Sequence, residues 1–163
     1  MDPASFAHDF RFLIASASNI FCEMDSADWT QSRGDGRWTR LQVLGHLIDS
    51  AINNHQRIVR ALAQDAVEFP GYDQDAMVEV QQYGAGPSQL FIGLWESLNF
   101  AVARIVSITP VSKLNVPISI GGGAPVTLEF LIEDYVRHMQ HHLRQIFEAM
   151  DTSSVRWHPA VSD

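Results

Sequence analysis

Two histidines one helical turn apart carry the plainest chemical meaning in this chain. His138 and His142 are separated by four residues. On an α-helix that spacing stacks both imidazoles on one face. There they can share a single ion, as in the helical half of many zinc sites. Such pairs are common, and two histidines on a partly exposed helix edge are the simpler alternative. A third imidazole, His46, lies on another predicted helix, 92 residues before His138. If the three meet, they form an open three-histidine centre, the ligand set of catalytic rather than closed structural zinc.

His46 heads a polar stripe. Ser50, Asn53 and Arg57 follow it at offsets of 4, 7 and 11 residues, within one arc of a helix that turns 100° per residue. The apolar arc of the same helix centres near Leu44 and Leu62, almost opposite. Solvated helix faces are rich in Glu and Lys, yet residues 39–63 contain neither. The stripe reads as the lining of a polar pocket, with a solvated face as the alternative. In a pocket, Arg57 can hold a substrate carboxylate through a bidentate contact; on a surface it would make an ordinary salt bridge. Ser50 and Asn53 can orient substrate. On the last helix Leu131, Ile132, Tyr135 and Met139 mark the apolar arc, with His138 and His142 at its border and Asp134 and Gln145 just outside. Asp134 is placed to accept a ligand's free N–H, as carboxylates behind metal-bound histidines do. Asp49 projects to another side, and Tyr135 and Trp95 read as core residues. His141 reads as exposed, and His8, His55 and His158 as structural or surface residues.

Four long helices must position these groups. Apolar residues recur at threes and fours over residues 3–25, with Pro3 in the first turn, where its missing N–H costs nothing. The second helix spans residues 39–63. It opens on a capping box, Thr39 with Gln42, and Trp38 can staple onto Val43. A long connection, 68–87, holds a Pro70–Gly71 turn and a short helix over 74–82 capped by Asp73. The third helix covers 88–109. Prolines and Gly121–Gly123 forbid helix over 111–126, leaving 114–120 as a short strand or hairpin arm. Thr127 caps a fourth helix ending near Met150. The expected fold class is all-α: an antiparallel four-helix bundle with long connections over 1–150, then an irregular tail over 151–163.

The chain has 163 residues, 46% hydrophobic, and a formal charge of -8. It is long enough for one domain with a real core. No Lys/Arg cluster supplies the basic stripe expected of a nucleic-acid partner. Neither a signal peptide nor a membrane span is indicated. A single cysteine, Cys22, excludes an internal disulfide and is compatible with a reducing cytoplasm. Among Ile20, Phe21 and Met24 it reads as a buried thiol.

His46 followed by Asp49, Ser50, Asn53 and Arg57 is similar to the first metal helix of the DinB/YfiT-like family, which carries these residue types at these offsets. Residues 135–142, with their H-x-x-x-H pair, resemble the family's last helix, and the turn Pro70 to Asp73 also resembles a family feature. The likeness covers residues 38–150. It implies an antiparallel four-helix bundle of metalloenzymes in which His46, His138 and His142 ligate one divalent metal ion, zinc or nickel, with water completing the coordination. Related proteins include thiol S-transferases, thiol-dependent isomerases and proteins labelled metal-dependent hydrolases. The resemblance therefore implies a small-molecule substrate, a low-molecular-weight thiol as co-substrate in the transferase case, and a homodimer. It places no catalytic base. The alternative is a non-catalytic metal-binding or stress-response helical bundle.

Overall fold

The computed structural model describes residues 1–159, so the end of the expected tail, 160–163, lies outside the described residues. Four long helices form the body: α1 (Pro3–Glu23), α3 (Arg40–Ala63), α5 (Ser88–Ser107) and α6 (Leu128–Ile146). Two short helices, α2 (Ser26–Thr30) and α4 (Gln74–Val80), and three short strands, β1 (Val67–Phe69), β2 (Pro117–Ile120) and β3 (Val126–Thr127), lie between them. The all-α class holds. The small sheet serves the connections.

Each long helix buries the stripe its sequence carries. α1 packs on α5, α5 on α3, and α3 on α6. Phe10 meets Tyr135 edge-on at 6.1 Å between centroids, linking α1 to α6. Consecutive long helices α1 and α3 are thus not packed neighbours, and the bundle is not a simple up-down chain of hairpins. α5 is long and apolar enough, by length and composition, to cross a membrane; here its Trp95, Asn99, Val102 and Val106 are buried in the bundle. The expected caps are present. Thr39 and Gln42 form a reciprocal capping box, Asp73 accepts from the Asp75 and Ala76 N–H groups, and Thr127 accepts from the Phe130 N–H; Asp2, not singled out in the sequence, also caps α1 by accepting from the Ser5 N–H.

Two helix ends and one strand differ from expectation. The first helix stops at Glu23 because Asp25 starts a new capping box with Asp28, which opens α2. The last helix stops at Ile146 rather than near Met150; beyond it Ala149 adopts a left-handed φ of 67° that no helix continues through. β1 was not expected. It pairs in parallel with β2, Val67 opposite Ile118, while β2 runs antiparallel to β3. Cys22 is exposed. Its apolar neighbours Ile20 and Phe21 turn to the core, and the next position on the helix faces out.

The sheet holds the long connection over one end of the groove between α3 and α6. The Gly121 N–H donates to the Phe69 carbonyl at 2.8 Å. Gly121 has φ +62°, a left-handed conformation that glycine adopts without strain. The tail has no helix or strand through Pro159 but is strapped down. Buried His158 donates from Nε2 to the Phe6 carbonyl at 3.0 Å, and Arg156 lies over the Phe12 ring at 4.1 Å.

Candidate metal centre

α3 and α6 run antiparallel, with the first turn of α3 bonded to the last turn of α6: Arg40 Nε donates to the Ile146 carbonyl at 2.7 Å. One turn and a half further along α3, His46 is 2% exposed and points at α6. Its Nε2 lies 3.1 Å from His138 Nε2, which in turn lies 3.1 Å from His142 Nε2. The ligand atoms of all three fall within 4.8 Å of one another. Nitrogens bound to one tetrahedral ion at 2.0–2.1 Å stand about 3.3 Å apart. The three imidazoles, brought together from two helices, therefore converge as a ligand set does.

Burial is the first cause that lowers the pKa of each histidine to about 4; the neighbouring imidazoles add to it, His142 acting on His46, His46 on His138, and His138 on His142. All three are neutral near pH 7, the form in which imidazole ligates. His142 Nδ1 lies 3.0 Å from Gln145 Oε1, an acceptor only, so Nδ1 carries the proton and Nε2 keeps its lone pair. The Gln145 amide nitrogen donates in turn to His141 Nε2 at 3.0 Å. Exposed His141 thus supports Gln145 and stays out of the cluster. Trp38 stacks on His46 at 5.3 Å between centroids. His46 Nδ1 is buried without a hydrogen-bond partner among the described residues. The donor set, three neutral nitrogens, suits a borderline divalent ion.

Two cavities flank the cluster. One, of about 180 Å³, is reached from His46 and His138 and continues past Ser50, Asn54, Arg57 and Tyr72. The other, of about 280 Å³, lies on the His142 side with Arg33, Arg37, Trp38 and Gln145. Gln74, the first residue of α4, lines both.

The polar stripe on α3 faces the interior, covered by α6 and the connection, rather than a solvated edge. Ser50 and Arg57 lie where expected, buried and lining the first cavity. Asn53 does not line it; its side chain donates to the Asp49 carbonyl at 2.9 Å. Asn54 takes that place. Relative to His46, Ser50 and Arg57 sit about 40° and 20° around the helix, Asn54 about 80° on the same side, and Asn53 about 20° on the other. Asp134 lines the cavity beside His138 but pairs with Arg137 at 2.9 Å. Asp49 is turned away, accepting from Gln81 at 2.7 Å and Tyr83 at 2.9 Å. Tyr135 walls the cavity and hydrogen-bonds Asn99, whereas Trp95 is core. Sequence reasoning gave Trp38 only a stapling role and Gln145 none. The signal for Gln145 was its spacing of three from His142, an amide on a ligand's own face.

Fold and site together define a class: a four-helix bundle with a three-histidine centre between its second and fourth long helices. The chain belongs to the DinB superfamily, whose sequence pattern it matches over residues 10–146. It is 24% identical over 127 residues to BH0277 of Halalkalibacterium halodurans, a protein named as a candidate metal-dependent hydrolase; the match spans 78% of this chain and 74% of that one. Its fold superposes on YfiT from Bacillus subtilis with a TM-score of 0.80 at 21% identity, covering 90% of this chain and 84% of the other. YfiT is described as a candidate metal-dependent hydrolase with an unusual four-helix bundle topology.

Proposed function

We propose that the protein is a metal-dependent enzyme acting on a small molecule, with His46, His138 and His142 holding one divalent ion, zinc or nickel, and water in the remaining positions. The observation that carries this reading is the convergence of three neutral imidazole nitrogens within 4.8 Å beside two open cavities. Bound there, a divalent ion supplies Lewis acidity and lowers the pKa of a coordinated water or thiol.

The chain's own residues orient and shield. Gln145 fixes the His142 tautomer, Trp38 keeps solvent from His46, and Ser50 with Arg57 presents polar groups to substrate. Asp134 sets a negative charge beside His138 that favours the protonated ring, opposing the effect of burial. Hydrolysis agrees with the descriptions of BH0277 and YfiT. A second cavity across the cluster supports the transferase form, in which a low-molecular-weight thiol enters opposite the substrate. The reading includes a cytoplasmic protein and a homodimer. The exposed residues Leu90 and Leu94, which share one face of α5, support the homodimer.

The test is metal content and turnover. Purified protein is expected to carry about one divalent ion per chain, lost in His46→Ala; full metal in that variant overturns the ligand set. Turnover is assayed on ester and amide panels, with and without biological thiols. Metal without any metal-dependent turnover would favour the non-catalytic binding module.

A further inference from the structure

We propose that the cavity beside the histidines is an anchoring site for a small monocarboxylate, with Arg57 as its counter-ion and Tyr72 as a neutral donor. That this anion is the substrate rests on the catalytic reading above; that it binds does not.

Arg57 is 8% exposed. Among the described residues its hydrogen bond is from Nη1 to Asn54 Oδ1, at 3.4 Å, and none of the ion pairs includes it. A guanidinium taken out of water without an anion is strongly unfavourable. The carboxylates within reach are engaged elsewhere. Asp134 lines the same cavity but is held by Arg137, and Asp49 is bound by Gln81 and Tyr83 on another side of α3. Tyr72 faces the same space. Burial raises its pKa and the nearby Arg57 charge lowers it, so the phenol is a neutral donor close to the guanidinium.

The charge count selects the ligand. At the Arg57 end, away from the histidines, one uncompensated cation with neutral donors matches a monoanion; a phosphate dianion would need a second cation in contact there. Ile120 and Leu131 supply an apolar patch in an otherwise polar wall, against which a short aliphatic chain can lie. The cavity, about 180 Å³, lies below the range of drug-sized pockets and suits a small ligand.

Reach follows from helix geometry. Arg57 is eleven residues beyond His46, about 16 Å of helix rise, and its side chain reaches back about one turn to Asn54. From guanidinium to imidazole cluster is then about 12 Å. After hydrogen-bond and ligand distances at the two ends, about four to six bonds separate the carboxylate from the atoms next to the histidines.

The probes are straight-chain monocarboxylates of four to eight carbons, their primary amides, and inorganic phosphate. Each is titrated by calorimetry into the full chain as purified and again after chelation, since a carboxylate can also bind a metal directly. The carboxylates are expected to bind both forms, with amides and, on chelated protein, phosphate at least tenfold weaker. Arg57→Met should weaken carboxylate binding at least tenfold, Arg57→Lys should restore part of it, and Tyr72→Phe should weaken it a few-fold. The thermal midpoint of Arg57→Met, measured without ligand, should equal or exceed that of the parent, because an unpaired buried charge is removed. A fall, with carboxylate affinity intact, would show a merely structural arginine and overturn the proposal. So would phosphate binding chelated protein as tightly as carboxylate does. Chelated protein that binds carboxylates while His46→Ala keeps its metal would overturn the ligand set alone.

Discussion

Arg40 and Ile146 set the level at which the three histidines meet. The Arg40 guanidinium donates to the Ile146 carbonyl at 2.7 Å and to the Glu148 carbonyl at 3.0 Å, satisfying groups left over at the end of α6. His46 is six residues beyond Arg40, about 9 Å of rise; His142 and His138 are four and eight residues before Ile146, about 6 and 12 Å. On antiparallel helices, His46 is therefore level with the midpoint of the pair. The clamp fixes the axial register that makes three separate side chains one site.

Arg40→Met should therefore act on stability and on the site together. Loss of charge-assisted bonds to the carbonyls at the end of α6, one part-buried and one exposed, costs up to about 1.5–3 kcal/mol. The register of α6 against α3 loosens, so metal affinity is expected to fall even though no ligand is touched. Chemical denaturation and competition with a chromophoric chelator read the two effects. Unchanged affinity in a destabilised variant would separate the clamp from the site.

Gln145→Ala removes the acceptor that holds the His142 tautomer. Loss of such a partner lowers metal affinity about 10–100-fold, and chelator competition should place the variant in that range. His141→Ala, which only removes the acceptor behind Gln145, should cost far less. Equal losses would mean that His141 binds the ion itself.

Much of this was legible in the sequence, and the gaps have physical causes. Thr39 with Gln42 marked the start of α3, and the absence of Glu and Lys from that helix marked a face that water does not wet. Four-residue spacing marked His138 and His142. The choice of Asn53 over Asn54 failed because both lie near the His46 azimuth, and only the packing of α6 and the connection decides which flank is covered. β1 is three residues long, too short for any period to register. Cys22 was misplaced because hydrophobic neighbours in sequence point to other sides of a helix.

The cluster makes metal-free protein acid-sensitive in a defined window. Each unfolded histidine takes up its proton near pH 6.5; folded, His46, His138 and His142 do so only near pH 4, because burial disfavours the charge. Between those values the unfolded chain binds more protons than the folded one. Stability from these groups is thus present in full above about pH 6.5 and is lost as pH falls towards 4. Thermal midpoints of chelated protein should decline across that window, and His138→Phe, which cannot take up a proton, should flatten the decline. A midpoint constant from pH 7 to 4.5 would mean that the histidines are already protonated in the fold.

Gly45, the neighbour of His46, tests how the site is covered. A Cβ built there would lie 2.1 Å from the Tyr83 ring, so any side chain expels Tyr83. Tyr83 and Gln81 bond the same oxygen of Asp49, whose other oxygen is buried without a partner among the described residues. Displacing the tyrosine removes one of the two bonds and frees the segment that follows α4, the helix whose Gln74 lines both cavities. Overpacking costs about 1–3 kcal/mol, and a lost bond to a charged group about 1.5–3 kcal/mol; Gly45→Ala should therefore destabilise by about 2.5–6 kcal/mol. Tyr83→Phe keeps the ring and should show only the hydrogen-bond part. Hydrogen exchange then reports the location: faster exchange in 74–85 for Gly45→Ala, with α1 and α5 unchanged, would place Tyr83 as the latch of the cover. Uniform acceleration throughout the bundle would show that Tyr83 supports the whole core instead.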